Sequence, residues 1–239
     1  MTAVILAAGI SSRLRPLTND IPKALLSLGG KTLLQRTLEA LEFAGLERCI
    51  IVCGFGEDVI RTFLKTFTSR VNIRIISNPL YASTGNNYSL WCAGPEIAGS
   101  GILLLDSDIV FDQRILTLLC QAPHENALVM RPDRSLGPEE IKVEVDTGGN
   151  VMNIGKNIEP RDAAGESIGI EKFSALAAGR LFTVLQTRKD HNEFYEASFQ
   201  QMIDAGEKIY AMPSSPYQCM EIDTLEDLAA AESLVKGWS

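Results

Sequence analysis

Three stretches of this chain carry residues whose types and spacing suit phosphate chemistry. Gly9 closes an apolar run, Ala3 to Ala8, and is followed by Ser11, Ser12, Arg13 and Arg15. Small residues let backbone N–H groups approach an anion closely, and arginines add fixed positive charge. Leu6, Ala7, Ala8, Gly9 and Ser12 are therefore candidate nucleotide contacts. Pro22-Lys23 then delivers one lysine from a rigid turn. Further on, Asp106 and Asp108 end a second apolar run, Gly101 to Leu105. Two carboxylates there are either solvated loop residues or ligands for Mg²⁺, which takes oxygen donors and one or two carboxylates beside substrate phosphates. The third stretch, NPLYASTGNNYS from Asn78 to Ser89, is polar. Its Gly85, Asn86, Asn87 and Ser89 are suited to reading a base edge, and the asparagines are equally suited to capping the next helix.

These groups need a scaffold, and the hydrophobic pattern supplies one. Ala3 to Ala8, Cys49 to Cys53 and Gly101 to Leu105 read as apolar, buried strands, and Val71 to Ser77 alternates enough to be another strand. Leu34, Leu38 and Leu41 recur on one helical face between the first two. Strand alternating with helix at this spacing is the doubly wound α/β pattern, in which ligands bind beyond the carboxyl ends of the strands. Past Arg131 the pattern changes to short strands near Ile141–Val145, Val151–Ile154 and Ser167–Phe173. Helices follow near 175–187, 193–205 and 225–235, with a strand at 208–212. The expectation is a Rossmann-like, doubly wound mixed sheet with helices on both faces. It forms a single domain over 1–239, with a nucleotide-binding half (1–131) and an acceptor-binding half (132–239).

Composition narrows the function. The 239 residues are 46% apolar and 22% charged, with a net charge of −8. A surface this acidic speaks against nucleic acid or anionic membrane as a partner, and no apolar run reaches spanning length. Five scattered cysteines without a Cys-x-x-Cys pair fit small buried hydrophobes in a reduced cytoplasm. Neither histidine has ligand-like spacing, and no Ser-His-Asp or Cys-His set offers a nucleophile. The Gly9 loop lacks the Gly-Lys-Ser/Thr of a Walker loop and the spaced glycines of the dinucleotide fingerprint.

From Leu6 to Leu34 the chain resembles the sugar-phosphate nucleotidyltransferase superfamily, whose signature is LAAGxxSRLxPLTxxxPKxLxxxxGKxLL. The segments NPLYASTGNNYSLW and GESIGIEKFS (Gly165 to Ser174) extend the resemblance to small bacterial cytidylyltransferases that use phosphocholine or 2-aminoethylphosphonate. The RxDG and QxxPxGLA base loops of the hexose-phosphate enzymes are absent. The resemblance implies a GT-A-like nucleotidyltransferase fold, with Mg²⁺ between Asp108 and Asp223 and Asp106 as a further or alternative ligand. Arg13 is then expected on the leaving phosphates and Lys23 between the α-phosphate and the incoming phosphate. It also implies CTP as donor and a small phosphorylated or phosphonylated amino-alcohol as acceptor. Lys156, with Lys142 as runner-up, falls where the superfamily binds the acceptor phosphate. A cationic amine needs carboxylates or aromatic faces, for which Glu166, Glu193, Tyr195 and Glu196 are candidates. A hexose- or polyol-phosphate acceptor, a non-catalytic nucleotide-binding module and a homodimer stay open.

Overall fold

The apolar run after Met1 forms β1 (Thr2–Ala7), in which every residue is buried. Residues 1–132 and 136–238 are described by the computed structural model. The segment after Gly9 then makes two short 3₁₀ turns, Ser12–Leu14 and Lys23–Leu25, and a small hairpin, β2 (Ser27–Leu28) and β3 (Lys31–Thr32). In order there follow α1 (Leu33–Phe43), β4 (Arg48–Cys53), α2 (Glu57–Thr66), β5 (Asn72–Ser77), α3 (Asn86–Cys92), α4 (Gly94–Ile97) and β6 (Ile102–Asp106). Next are β7 (Ile109–Phe111), α5 (Arg114–Gln121), β8 (Ala127–Arg131), β9 (Lys142–Val145), β10 (Val151–Gly155) and β11 (Gly165–Phe173). The chain ends with α6 (Ala175–Thr187), α7 (Glu196–Asp204), β12 (Tyr210–Pro213), β13 (Cys219–Glu221) and α8 (Leu225–Lys236).

One nine-stranded sheet runs through both halves, in the order β10-β9-β11-β6-β1-β4-β5, with β8 on β11 and β12 on β8. Strands β6, β1, β4 and β5 are parallel, and β11 joins β6 antiparallel. The sheet is therefore mixed, as expected from the change of pattern past Arg131. Strands β1, β4 and β6 are covered on both faces, so they read as nearly continuous apolar runs, whereas β5 is only partly buried. Alternate side chains divide between two cores. Ala3, Ile5, Ala7, Ile51 and Leu105 pack on one face, and Val4, Leu6, Val52 and Leu104 on the other. The cysteines of β4 belong to this core: Cys49 and Cys53 are buried and free, and burial pushes the Cys53 thiol up to about 12. No helix among the described residues is long and apolar enough to cross a membrane.

Two features of the fold place the site. The first is a two-stranded ribbon, β7 against β13, whose short strands carry no periodic signal in the sequence. Pairing of Glu221 with Ile109, and an Ile222 N–H donated to the Asp108 carbonyl at 2.9 Å, bring two segments distant in sequence side by side. The second is an irregularity in β11. Its register shifts between Ser167 and Glu171, and Gly169 within it has φ of +69°. A methyl group at Gly169 would come within 2.5 Å of Asp106 Oδ2. Gly169→Ala should thus be strained both in the backbone and against Asp106, lowering stability by roughly 1–3 kcal/mol. Urea unfolding measures this, and an unchanged midpoint would refute the tight fit.

Candidate active site

The Gly9 loop leaves the carboxyl end of β1 and is held from beneath. The Phe55 N–H donates to the Ala8 carbonyl at 3.1 Å, and a Cβ at Gly54 would meet that same oxygen at 2.8 Å. Ser11 adopts a left-handed conformation (φ 51°), and the Thr18 hydroxyl donates to its carbonyl at 2.8 Å. Buried Leu14 anchors the 3₁₀ turn, so Arg13 projects outward across the cleft. Pro22 is extended and sits against Gly56, where a Cβ would approach its Cδ at 2.7 Å. Lys23, directly after it, points inward and is only 5% exposed.

The Lys23 ammonium is the hub of the site. It donates to Asp108 Oδ2 at 2.9 Å and to Asp223 Oδ1 at 2.7 Å, while Arg13 pairs with the other Asp223 oxygen at 2.7 Å. Burial alone would lower the lysine's pKa, but the two aspartates outweigh it and raise it. Glu221 completes a trio: ligand oxygens of Asp108, Glu221 and Asp223 lie within 4.8 Å of one another. Burial, then Asp108 and Asp223, push the Glu221 carboxyl up to about 8. Asp108 Oδ1 is buried and has no hydrogen-bond partner. An all-oxygen donor set with one buried oxygen left unpaired fits a hard divalent cation. Helix α8 leaves Asp223 available for this. Its N-cap is Thr224, which forms a capping box with Asp227, so Asp223 is not needed to cap the helix.

A cleft of about 240 Å³ contains this cluster together with Leu6, Ala7, Ala8, Gly9, Gly85, Asn86 and Ser89. Ser12 and Asn87 do not line it. Asn87 is buried and its Oδ1 accepts from the Ser198 hydroxyl at 3.2 Å. The Asn86 Oδ1 accepts from the Tyr195 N–H at 2.9 Å, which ties the start of α3 to the start of α7. Asp106 lies outside the carboxylate trio. It lines the cleft but accepts a hydrogen bond from the Tyr195 hydroxyl at 2.8 Å.

An adjoining recess of about 130 Å³ is lined by Lys156, Glu196, Phe194, Ser167 and Asp106 and reaches Asp108 and Asp223. Four acceptor candidates do not line it, among them Tyr195, which is fully buried. Lys142 is buried, with its ammonium on the carbonyls of Glu140 and Lys156; Glu166 is paired with Arg131; Glu193 is paired with Arg188. Sequence reasoning missed Glu221 and Phe194. For Glu221 a signal was present: Glu221 and Asp223 flank the fully buried Ile222, the alternation of a strand that turns two carboxylates to one side.

A family model described as the MobA-like NTP transferase domain matches residues 3–201. The chain belongs to the MobA-like NTP transferase family. As a member it is a nucleotidyltransferase, and the cytidylyltransferases are among its relatives. The CTP:phosphoglutamine cytidylyltransferase of Campylobacter jejuni is 27% identical over 95% of this chain and 98% of its own length. The 2-aminoethylphosphonate cytidylyltransferase of Lancefieldella rimae is 25% identical over 95% of this chain and 90% of its own. A solved CTP:phosphocholine cytidylyltransferase from Streptococcus pneumoniae superimposes with a TM-score of 0.80 at 23% identity, covering 98% of each chain, which shows the shared fold.

The buried lysine ties Asp108 and Asp223 of this NTP transferase together. Replacing it with an apolar chain of similar length, Lys23→Met, should cost roughly 3 kcal/mol of stability in chelator, because a buried pair loses its cation. Added Mg²⁺ should raise the melting temperature of the variant more than that of the wild type. Equal melting of the two proteins in chelator would show that the carboxylates do not depend on Lys23.

Proposed function

We propose that this NTP transferase moves CMP from CTP to a small phosphorylated or phosphonylated acceptor bearing an amine, with release of pyrophosphate. The observation that carries the reading is the contact of Lys23 with Asp108 and Asp223 at the mouth of the Gly9 loop. Support for cytidine comes from relatives named as cytidylyltransferases that match nearly the whole chain.

In the reaction an acceptor oxygen attacks the α-phosphorus of CTP. The bond from that phosphorus to the bridging oxygen breaks, and its electron pair leaves with pyrophosphate. The acceptor phosphate is already anionic near neutral pH, so no side chain need take a proton. The protein's task is positioning and charge neutralisation. Backbone N–H groups of the Gly9 loop face the triphosphate, and Arg13, exposed at the rim, takes the leaving phosphates. Lys23 is held where donor and acceptor anions meet, and its compact charge offsets their repulsion. Asp108, Glu221 and Asp223 would hold Mg²⁺, which when bound draws charge from the phosphate oxygens. Lys156, on the far side of the recess, is suited to the acceptor phosphate.

Pyrophosphate release measured with each triphosphate tests this reading. CTP should exceed UTP and dTTP, activity should vanish in chelator and return with Mg²⁺, and Asp108→Asn should lower turnover by roughly two orders of magnitude. Equal or better turnover with UTP or dTTP on hexose phosphates would overturn it.

A further inference from the structure

The recess beside the carboxylate trio is more acidic than phosphate transfer requires. Asp106, Glu171 and Glu196 approach one another in the core, with Glu171 fully buried and Glu196 only 5% exposed. Their hydrogen bonds are few. Tyr195 donates to Asp106 at 2.8 Å and Ser167 to Glu171 Oε1 at 3.4 Å, while Glu171 Oε2 and Glu196 Oε2 are buried without a partner. Among the described residues no lysine or arginine forms an ion pair with any of the three. Lys156, across the recess, spends its ammonium on Glu139 at 3.0 Å. Glu196 and Asp106 both line the recess. An unpaired buried carboxylate is costly unless a proton or a cation satisfies it. Burial pushes the Glu196 carboxyl up to about 7, outweighing a smaller pull from the Lys156 charge, which makes no ion pair with it.

The lining also says which cation fits. A primary ammonium has three N–H donors for the unpartnered Glu196 oxygen and for Asp106. A trimethylammonium group has none and is held instead by aromatic faces. Phe194 is the one aromatic side chain among the described lining residues, and the Lys156 ammonium already lies over its ring at 4.6 Å. Tyr195 is fully buried, with its ring against Phe199 at 5.1 Å. We infer that the recess binds the amine end of the acceptor and selects a primary ammonium over a trimethylammonium, with Glu196 as the residue that sets this choice. This rests on the proposed function, in which the acceptor carries an amine.

The test is steady-state pyrophosphate release at saturating CTP with four acceptors: ethanolamine phosphate, 2-aminoethylphosphonate, phosphocholine and ethyl phosphate. Both primary amines should show kcat/KM at least about tenfold above phosphocholine and above ethyl phosphate, because a site built to hydrogen-bond N–H groups rejects an analogue lacking them. Glu196→Gln should lower kcat/KM for the primary amines at least tenfold more than for ethyl phosphate. The wild-type series decides the matter by itself if that variant does not fold. Phosphocholine equal to or better than the primary amines would overturn the selection while leaving cytidylyl transfer standing. Turnover of hexose phosphates with UTP, and of none of the four with CTP, would overturn the proposed function and this inference with it.

Discussion

One buried ammonium among carboxylates is the constraint on which the site depends. Asp108 and Asp223 share the Lys23 ammonium, and Glu221, pushed up to about 8, joins them within 4.8 Å with its own charge suppressed. Much of the local architecture serves this meeting. Pro22 against Gly56 fixes where the lysine starts, the β7–β13 ribbon brings Asp108 beside Glu221, and the Thr224 capping box leaves Asp223 unspent. The same arrangement suits phosphoryl chemistry. In the proposed reaction an incoming triphosphate would offer anions to Lys23 and Arg13, and a divalent cation would offer charge to the carboxylates, so each partner of the resting ion pairs would gain an alternative in the loaded site.

The second acidic group obeys a different balance. Asp106, Glu171 and Glu196 have no lysine or arginine ion pair among the described residues, and tyrosine and serine hydroxyls satisfy them only in part. The irregular stretch of β11 around Gly169 packs directly on Asp106, so the strand geometry and the carboxylate position are set together. The Asn86 contact to Tyr195 then links the start of α3, beside the cleft, to the helix that carries Glu196. Under the proposed function, donor and acceptor surfaces are thus joined through α7, by the Tyr195 N–H to Asn86 and the Ser198 hydroxyl to Asn87.

Much of this was legible in the sequence, because local chemistry announces itself locally. The parallel strands are apolar runs that end at glycine or aspartate, and the Gly9 loop, Arg13 and Lys23 fall within one ordered motif. The long-range features were harder to read. Glu221 joins the cluster through pairing with Ile109, more than a hundred residues away, and three-residue strands are too short for periodicity to reveal. Lys142, Glu166 and Glu193 have the right charge for an acceptor site, but burial against carbonyls or pairing with Arg131 and Arg188 decides their roles. Asn87 has the residue type for a base edge, and its side chain turns into the core toward Ser198. Side-chain direction at such positions is set by tertiary packing rather than by residue type.

The most direct measurement pairs the saturated rate of Lys23→Met with its calorimetric affinity for CTP, on protein whose folding has been verified. If Lys23 offsets the repulsion of two anions as they meet, the saturated rate falls by roughly a hundredfold or more while CTP affinity changes little. If affinity falls and the saturated rate is unchanged, Lys23 only binds the nucleotide, and its charge plays no part in bringing the two anions together.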